Sequence, residues 1–317
     1  MSNPLVSIII PTHNRPELVL RAVKSALNQT FKDVEVIVVD DVGNAPIVEF
    51  KKLGVQYIRI PETYWISDNR NTGIKYSKGK YIALLDDDDI WFEDYLETLI
   101  PVMESDPSIG LACTNGYQIN DFNEKPTRQL FPHIKKEMRG NLFAKTVWDC
   151  FMLPSLTIIR KDMFTEVGLF RHIRGEDLDI IMRVSAFTNV YYTPKICGVW
   201  YRRLDTSSAS NTAQSTLDGR LSILIPMLIC LTEIKDMANK YGREFSLTEK
   251  FVLYYQKYYF SFYIVSVYFM FKDIHRYRIL WECIKLYPFL TPMTILAPLC
   301  QIKFIRDIGQ SIKRRML

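Results

Sequence analysis

The sequence predicts an α/β fold built on a mostly parallel sheet with helices on both faces, and three observations carry that reading. Residues 1–90 alternate short apolar runs with amphipathic helical patterns, the order that strand–helix–strand units produce. The apolar runs are continuous rather than alternating, as strands covered on both faces require. Two of them end in carboxylates, Asp40-Asp41 and Asp86-Asp87-Asp88-Asp89. If these strands run the same way, both clusters fall on one edge of the sheet, where open α/β sheets keep their ligand crevice.

Val6-Ser7-Ile8-Ile9-Ile10 reads as a buried strand stopped by Pro11. Pro16 suits the first turn of a helix, where its missing N–H costs nothing, and Leu18, Val19, Ala22, Val23, Ala26 and Leu27 then share one apolar face. Val34 to Val39 and Val55 to Ile60 are the next strands, and Asp68 to Tyr76 is a short helix leading to the strand Tyr81 to Leu85. Asp89 is expected to cap a helix holding Trp91, Tyr95 and Leu99. Later, Leu153 to Ile159 reads as a strand and Glu176 to Phe187 as a helix. Residues 205–218 are rich in Ser, Thr, Ala and Asn and read as a loop or linker, followed by apolar and aromatic helices with basic faces. The expected organisation is residues 1–100 and 101–215 as two halves of one domain, with 216–317 a helical extension.

A chain of 317 residues, 48% apolar and 24% charged, is globular in composition and long enough for a sizeable core. The six cysteines show no paired spacing and read as reduced thiols of a cytoplasmic protein, and the scattered histidines give no zinc pattern. No secretory signal is expected at the start. The net charge of +5 is uneven: residues 231–317 carry 14 Lys/Arg against 7 Asp/Glu, which leaves −2 for the rest. Without a basic patch beside stacking aromatics, nucleic acid is not an expected partner.

Four packed carboxylates after a buried strand repel one another unless a cation neutralises them. The economical cation is Mg²⁺ or Mn²⁺, held by one or two carboxylates together with substrate phosphates, so a phosphorylated substrate is expected. A dinucleotide fingerprint is excluded, because Pro11-Thr12-His13-Asn14-Arg15 stands where the glycines belong. A Walker loop and a serine nucleophile elbow are missing as well.

The run Val6 to Arg15, then Val36-Ile37-Val38-Val39-Asp40-Asp41, then Arg70-Asn71-Thr72-Gly73, then Lys78 to Asp89, together resemble the family-2 glycosyltransferases. Gly168-Leu169-Phe170 followed by Gly175-Glu176-Asp177-Leu178-Asp179 is similar to that family's acceptor-side motif. Each motif alone is weak, but five in order over residues 5 to about 210 are specific. The resemblance implies the GT-A fold, Rossmann-like in its donor half, and a metal-dependent, inverting transfer from a nucleotide-diphosphate sugar to a hydroxyl. UDP-sugars are favoured, with a glycan or lipid-linked glycan as acceptor. Two rivals stay open: a Mg²⁺-dependent nucleotidyl or phosphoryl transferase, and a non-catalytic glycan-binding protein on a transferase scaffold.

The residues also have readings of their own. Thr12 and Asn14, freed by Pro11, can offer polar groups to a base or ribose, or simply cap a helix. By resemblance Thr12, His13 and Asp40 flank the base, although Asp40 could also cap the next helix. Arg70 resembles the arginine turned toward the donor, where a guanidinium fork suits phosphate oxygens, and a surface salt bridge is its other reading. Within Asp86-Asp87-Asp88 the resemblance places Asp86 toward ribose or metal and Asp88 on the metal. Inversion is a single displacement, so the acceptor hydroxyl loses a proton as it attacks. A carboxylate at a helix N-terminus can take it, and by resemblance that base is Asp177, beside Glu176, although acids also collect at such a terminus simply to complement the helix dipole. One departure stands out: many relatives carry Tyr-Arg-x-His, but here Tyr201-Arg202-Arg203-Leu204 has no histidine, and Arg202 and Arg203 are the candidate replacements near the diphosphate or acceptor.

The tail adds a membrane expectation. Ile302, Ile305, Ile308 and Ile312 share one helical face, with Lys303, Arg306, Lys313 and Arg314 on the rest, as in a helix lying on an anionic membrane surface. Residues 251–271 have the length of a span but are broken by Gln256 and Lys257. Packing on the catalytic part or on a second subunit is the alternative for these faces. The expected location is cytoplasmic, peripheral on the inner face of the cell membrane.

Overall fold

The computed structural model describes residues 3–63, 65–119, 130–201, 217–254 and 256. The chain forms two compact units, residues 1–205 and 206–317, so the division falls ten residues before the expected one. In the first unit β1 (Val6–Thr12), α1 (Pro16–Leu27), β2 (Val34–Asp40), α2 (Ile47–Leu53), β3 (Gln56–Arg59), α3 (Ile66–Tyr76) and β4 (Tyr81–Leu84) alternate strictly. Then come β5 (Ile90–Trp91), α4 (Tyr95–Ser105), β6 (Ile109–Ile119), β7 (Leu130–Phe131), β8 (Met138–Gly140) and α5 (Phe143–Trp148). The unit closes with β9 (Thr157–Arg160), α6 (Met163–Val167), α7 (Glu176–Phe187) and β10 (Asn189–Tyr201).

Among the described residues these strands make one sheet in the order β3-β2-β1-β4-β9-β6-β10-β5, with β7 added on β6 and β8 on β10. β1 is parallel to both neighbours, with Val6 opposite Val34 and Tyr81, and Thr12 opposite Asp40. The expected α/β architecture is present, and the carboxyl ends of β1, β2 and β4 share one edge. β9 runs against both β4 and β6, so the parallel first half is joined to the second half through an antiparallel strand.

β1 is buried along its whole length because it is central and covered on both sides. Val6, Ile8 and Ile10 belong to the core cluster that α1 and α4 cover with Val19, Ala22, Val23, Ala26, Tyr95, Leu96 and Leu99. On the other face α3 comes so close that a Cβ on Gly73 would collide with Ile9. Only glycine there lets α3 lie flat on β1, and this approach sets the depth of Arg70 on the same helix.

Three local expectations are corrected. Pro11 does not stop β1, which runs to Thr12; pairing to β4 has ended at Ile9 opposite Leu84, so Pro11 needs a partner on one side only. Trp91 lies in β5, antiparallel to β10, and the following helix starts at Tyr95 after Asp94, so Asp89 caps nothing there. The segment read as a strand over 153–159 begins with a 3₁₀ turn at Pro154–Leu156 and becomes β9 only from Thr157.

The second unit is described from α8 (Leu217–Lys240), whose buried Met227, Cys230, Leu231, Ile234 and Ala238 fall on one helical stripe. Residues 247–254 are again helical. Among the described residues no helix is long and apolar enough to cross a membrane. The tail helix expected at 302–312 and nearly all of 251–271 lie outside the described residues.

Candidate active site

The acidic run leaves β4 straight into the shared edge, where neighbouring strands supply its partners. Thr12, the last residue of β1, donates its hydroxyl to Asp87 Oδ2 at 2.8 Å. Asn14 then takes φ 54°, a left-handed turn that Asn tolerates. Arg15 beyond it places Nη1 2.8 Å from Asp87 Oδ1 and 3.2 Å from Asp88 Oδ2. Burial works against the Arg15 charge, but Asp87 and Asp88 outweigh it and raise its pKa. Asp87 is pushed up by its burial, with Arg15 opposing. Arg21, one turn into α1, donates to the Asp88 carbonyl at 2.6 Å.

The second half of the site meets the run across Arg70. This α3 side chain is 3% exposed and forks between Asp86 Oδ1 at 2.8 Å and Glu176 Oε1 at 2.7 Å. Burial penalises its charge, yet Asp86 and Glu176 more than compensate, so it stays a cation. Glu176 opens α7, after Gly175 at φ 77°, a conformation glycine alone takes without strain. Burial raises the Glu176 carboxyl to about 7, with Arg70 opposing and Asp177 adding to the rise. Phe170 lies under the Arg70 guanidinium at 5.4 Å, and its backbone exchanges two hydrogen bonds with Asn71, the residue after Arg70. The loop 167–169 is fixed from behind by Arg183, which donates to the carbonyls of Val167, Gly168 and Leu169 and pairs with the fully buried Asp179. Asp177 is only partly buried, and its Oδ1 accepts the N–H of Leu178 at 2.8 Å.

Two residues have tasks other than those expected. Asp40 is fully buried, and its two oxygens accept the N–H groups of Val42, Gly43 and Ala45 and the hydroxyl of Tyr57. Through these contacts it staples the loop after β2. Asp41 is buried, with Oδ1 2.9 Å from the exposed His13 Nδ1, and lines an open cleft of about 430 Å³ with Val42, Arg59, Ile60, Pro61 and Glu62. Asp89 is buried and accepts the N–H of Tyr201 at 3.0 Å, which ties the acidic run to the end of β10. Its own burial, then the charges of Asp88 and Asp86, hold its pKa well above the usual carboxylate range.

Thr12, His13, Asn14, Asp86, Asp87, Asp88, Arg70, Glu176 and Asp177 are thus gathered at one edge, while Arg202, Arg203 and Leu204 lie outside the described residues. The sequence reading assigned the neutralising role to a bound cation. In the structure Arg15 and Arg70 carry part of it. Among the described residues no three metal-ligating side chains converge, so these residues alone make no cage. Asp86 and Asp88, with side chains 28% and 18% exposed, fit an ion held by one or two carboxylates plus substrate phosphates. Sequence reasoning missed Arg15 and Asn71. Arg15 had a usable signal, since it ends the loop after β1 on the edge where the carboxylates gather.

The family model described as Glycosyl transferase family 2 matches residues 7–168. An uncharacterized glycosyltransferase of Rickettsia conorii is 27% identical over 266 residues, covering 76% of this chain and 42% of the relative. The chain spans less than half the length of the Rickettsia conorii, bellii and felis relatives it matches. The Escherichia coli UDP-Glc:alpha-D-GlcNAc-diphosphoundecaprenol beta-1,3-glucosyltransferase WfgD is 34% identical over 107 residues, covering 32% of this chain and 42% of that protein. Among solved structures, S. aureus TarS 1-349 in complex with UDP-GlcNAc superimposes with a TM-score of 0.54 at 15% identity, covering 83% of this chain and 81% of that one.

Proposed function

This chain belongs to glycosyl transferase family 2, and on that premise we propose that it transfers a sugar, with inversion, from a nucleotide-diphosphate sugar to a hydroxyl of a glycan or lipid-linked glycan. One observation carries the reading. Arg70 joins the acidic run at the end of β4 to the start of α7 through contacts of 2.8 and 2.7 Å. A donor diphosphate beside Asp86 and Asp88 and an acceptor beside Asp177 would therefore be neighbours, as a direct displacement needs.

Roles follow from the surroundings. Glu176 is committed to Arg70, so Asp177 is the carboxylate left to take the acceptor proton, acting as general base. Arg70 and Arg15 hold positive charge at the edge before substrate arrives, Thr12 orients Asp87, and Asp86 and Asp88 would hold Mg²⁺ or Mn²⁺. When bound, that ion neutralises charge building on the leaving diphosphate. The base of the nucleotide enters the cleft beside Asp41 and His13. UDP is the favoured nucleotide, since the solved relative holds UDP-GlcNAc and the E. coli relative is named for UDP-Glc. Arg202 and Arg203, outside the described residues, are proposed to supply compensating positive charge for the diphosphate or acceptor, in place of the missing histidine. A peripheral position on the inner membrane face fits the lipid-linked acceptor in the name of that relative and the basic tail.

The test is incubation with a panel of nucleotide sugars and Mn²⁺ or Mg²⁺, without acceptor. Slow release of nucleoside diphosphate is expected with one donor and none in excess chelator. Release of pyrophosphate, or of nothing from any donor, would overturn the proposal.

A further inference from the structure

We propose that Trp65 and His172 form a binding platform for a sugar ring of the acceptor, on the rim of the seam between α3 and the loop before α7. This deepens the transferase reading and rests on it for the word acceptor, though not for the sugar itself. The same two stretches of chain meet twice. At the inner end they meet through Arg70 with Glu176 and Asn71 with Phe170. At the outer end the rings of Trp65 and His172 stack, 3° from parallel with centroids 5.8 Å apart. The loop that carries His172 runs directly into Glu176 and Asp177. A molecule resting on the platform therefore lies along the path to the proposed base.

The platform is exposed where a folding role alone would bury it. Trp65 is 38% exposed, and Ile66 and Leu169 from the same two stretches are 41% and 43% exposed. A cluster of large apolar residues left open beside a polar site marks a binding surface. Its geometry is also set in advance. Thr63 donates to Asp68 Oδ2, and Asp68 Oδ1 lies 2.6 Å from His172 Nε2, which holds the imidazole against the indole. Rings fixed before binding lose little freedom when a ligand arrives.

The chemistry selects the occupant. A flat π-face carries negative charge density and attracts the positive C–H groups that line one face of a pyranose. The hydroxyls at the rim of such a ring need acceptors beside the stack, and Asp68, 34% exposed, stands there. A phosphate would be repelled by that carboxylate, and a lipid chain would gain nothing from it.

The test uses the full chain, with methyl glycosides of glucose, galactose, mannose and N-acetylglucosamine as probes and titration calorimetry as the readout, which does not depend on the indole being replaced. At least one glycoside should give a saturable change that weakens roughly tenfold or more in Trp65→Ala and is largely kept in Trp65→Phe, the scale expected for loss of one stacking contact. Calorimetry with UDP should give the same affinity in both variants and in wild type. Trp65→Leu keeps apolar bulk and replaces Trp65→Ala if that variant does not fold. The proposal is overturned if no glycoside binds, if binding survives in Trp65→Ala or Trp65→Leu, or if UDP itself produces the Trp65-dependent signal. Donor hydrolysis is scored separately: glycoside binding without hydrolysis of any nucleotide sugar would overturn the transferase reading and leave the platform standing.

Discussion

Replacing Arg70 by Met keeps the length and apolar bulk of the side chain and removes the charge that Asp86 and Glu176 share. The two carboxylates then fare differently. Asp86, 28% exposed, can rehydrate, whereas Glu176 at 15% cannot do so fully. Breaking a buried pair by removing one partner costs about 3–5 kcal/mol. Part of this is offset, because burying Arg70 is itself penalised and its Nε has no partner among the described residues. Glu176 also has an escape. Burial already raises its carboxyl to about 7 against the pull of Arg70, and without Arg70 it rises further, so the variant keeps a proton there when wild type does not. A raised folded pKa means stability that is present at low pH and lost as pH rises through it. The gap between wild type and variant should therefore be small at about pH 6, about 1–2 kcal/mol from the lost hydrogen bonds, and widen to about 3–4 kcal/mol at about pH 8.5. It can grow no faster than about 1.4 kcal/mol per pH unit from this one group. The assay is urea unfolding in chelator, followed by circular dichroism at both pH values, for Arg70→Met, Glu176→Gln and the double variant. The cycle should show a coupling of at least about 1 kcal/mol at the higher pH, with Glu176→Gln relieving part of the damage. A loss under about 1 kcal/mol at the higher pH, or equal losses at both, would refute the reasoning.

Asp88→Ala should abolish transfer, and saturating Mn²⁺ should not restore it; full activity of wild type in excess chelator would remove the metal from the account. Asp177→Asn keeps size and polarity but takes no proton at neutral pH, so turnover should fall by roughly 10²-fold or more while donor affinity by calorimetry stays within error. If that variant bound donor poorly yet turned over normally, Asp177 would be a structural residue. The chain should sediment with anionic vesicles at low salt and be released by high salt or by deletion of residues 302–317, since each basic residue near anionic lipid contributes roughly 1 kcal/mol that salt screens. Binding that resists both salt and alkaline carbonate would mean an embedded segment instead.

The strands and helices of the first ninety residues are legible because burial on both faces leaves an unbroken apolar record, as in Ile8 to Ile10 and Val36 to Val39. The gathering of Thr12 with Asp87 follows from that order, since parallel neighbours share their carboxyl edge. Arg70 and Glu176 are each legible as candidates, but not their meeting, because a separation of 106 positions leaves no local pattern. Asp40 keeps two readings in the sequence for a physical reason: a carboxylate after a strand looks the same whether it faces a ligand or folds back on its own loop. β9 is short, begins in a 3₁₀ turn and runs against both neighbours, so neither its bounds nor its direction can be read from periodicity.

That strand has a consequence for the making of the chain. β4 is buried along its length, and its free edge is closed only when Ile158, Ile159 and Arg160 pair with Ala83, Ile82 and Tyr81. Some 75 residues separate the two strands, roughly 4–15 s of synthesis at roughly 5–20 residues per second. A fragment cut after α4 would never close that edge, so a chimera exchanging donor halves has to carry the chain through residue 160. On the ribosome the intact chain passes through the same state. For those seconds an apolar strand stands open along one side, a template on which a second nascent copy can pair.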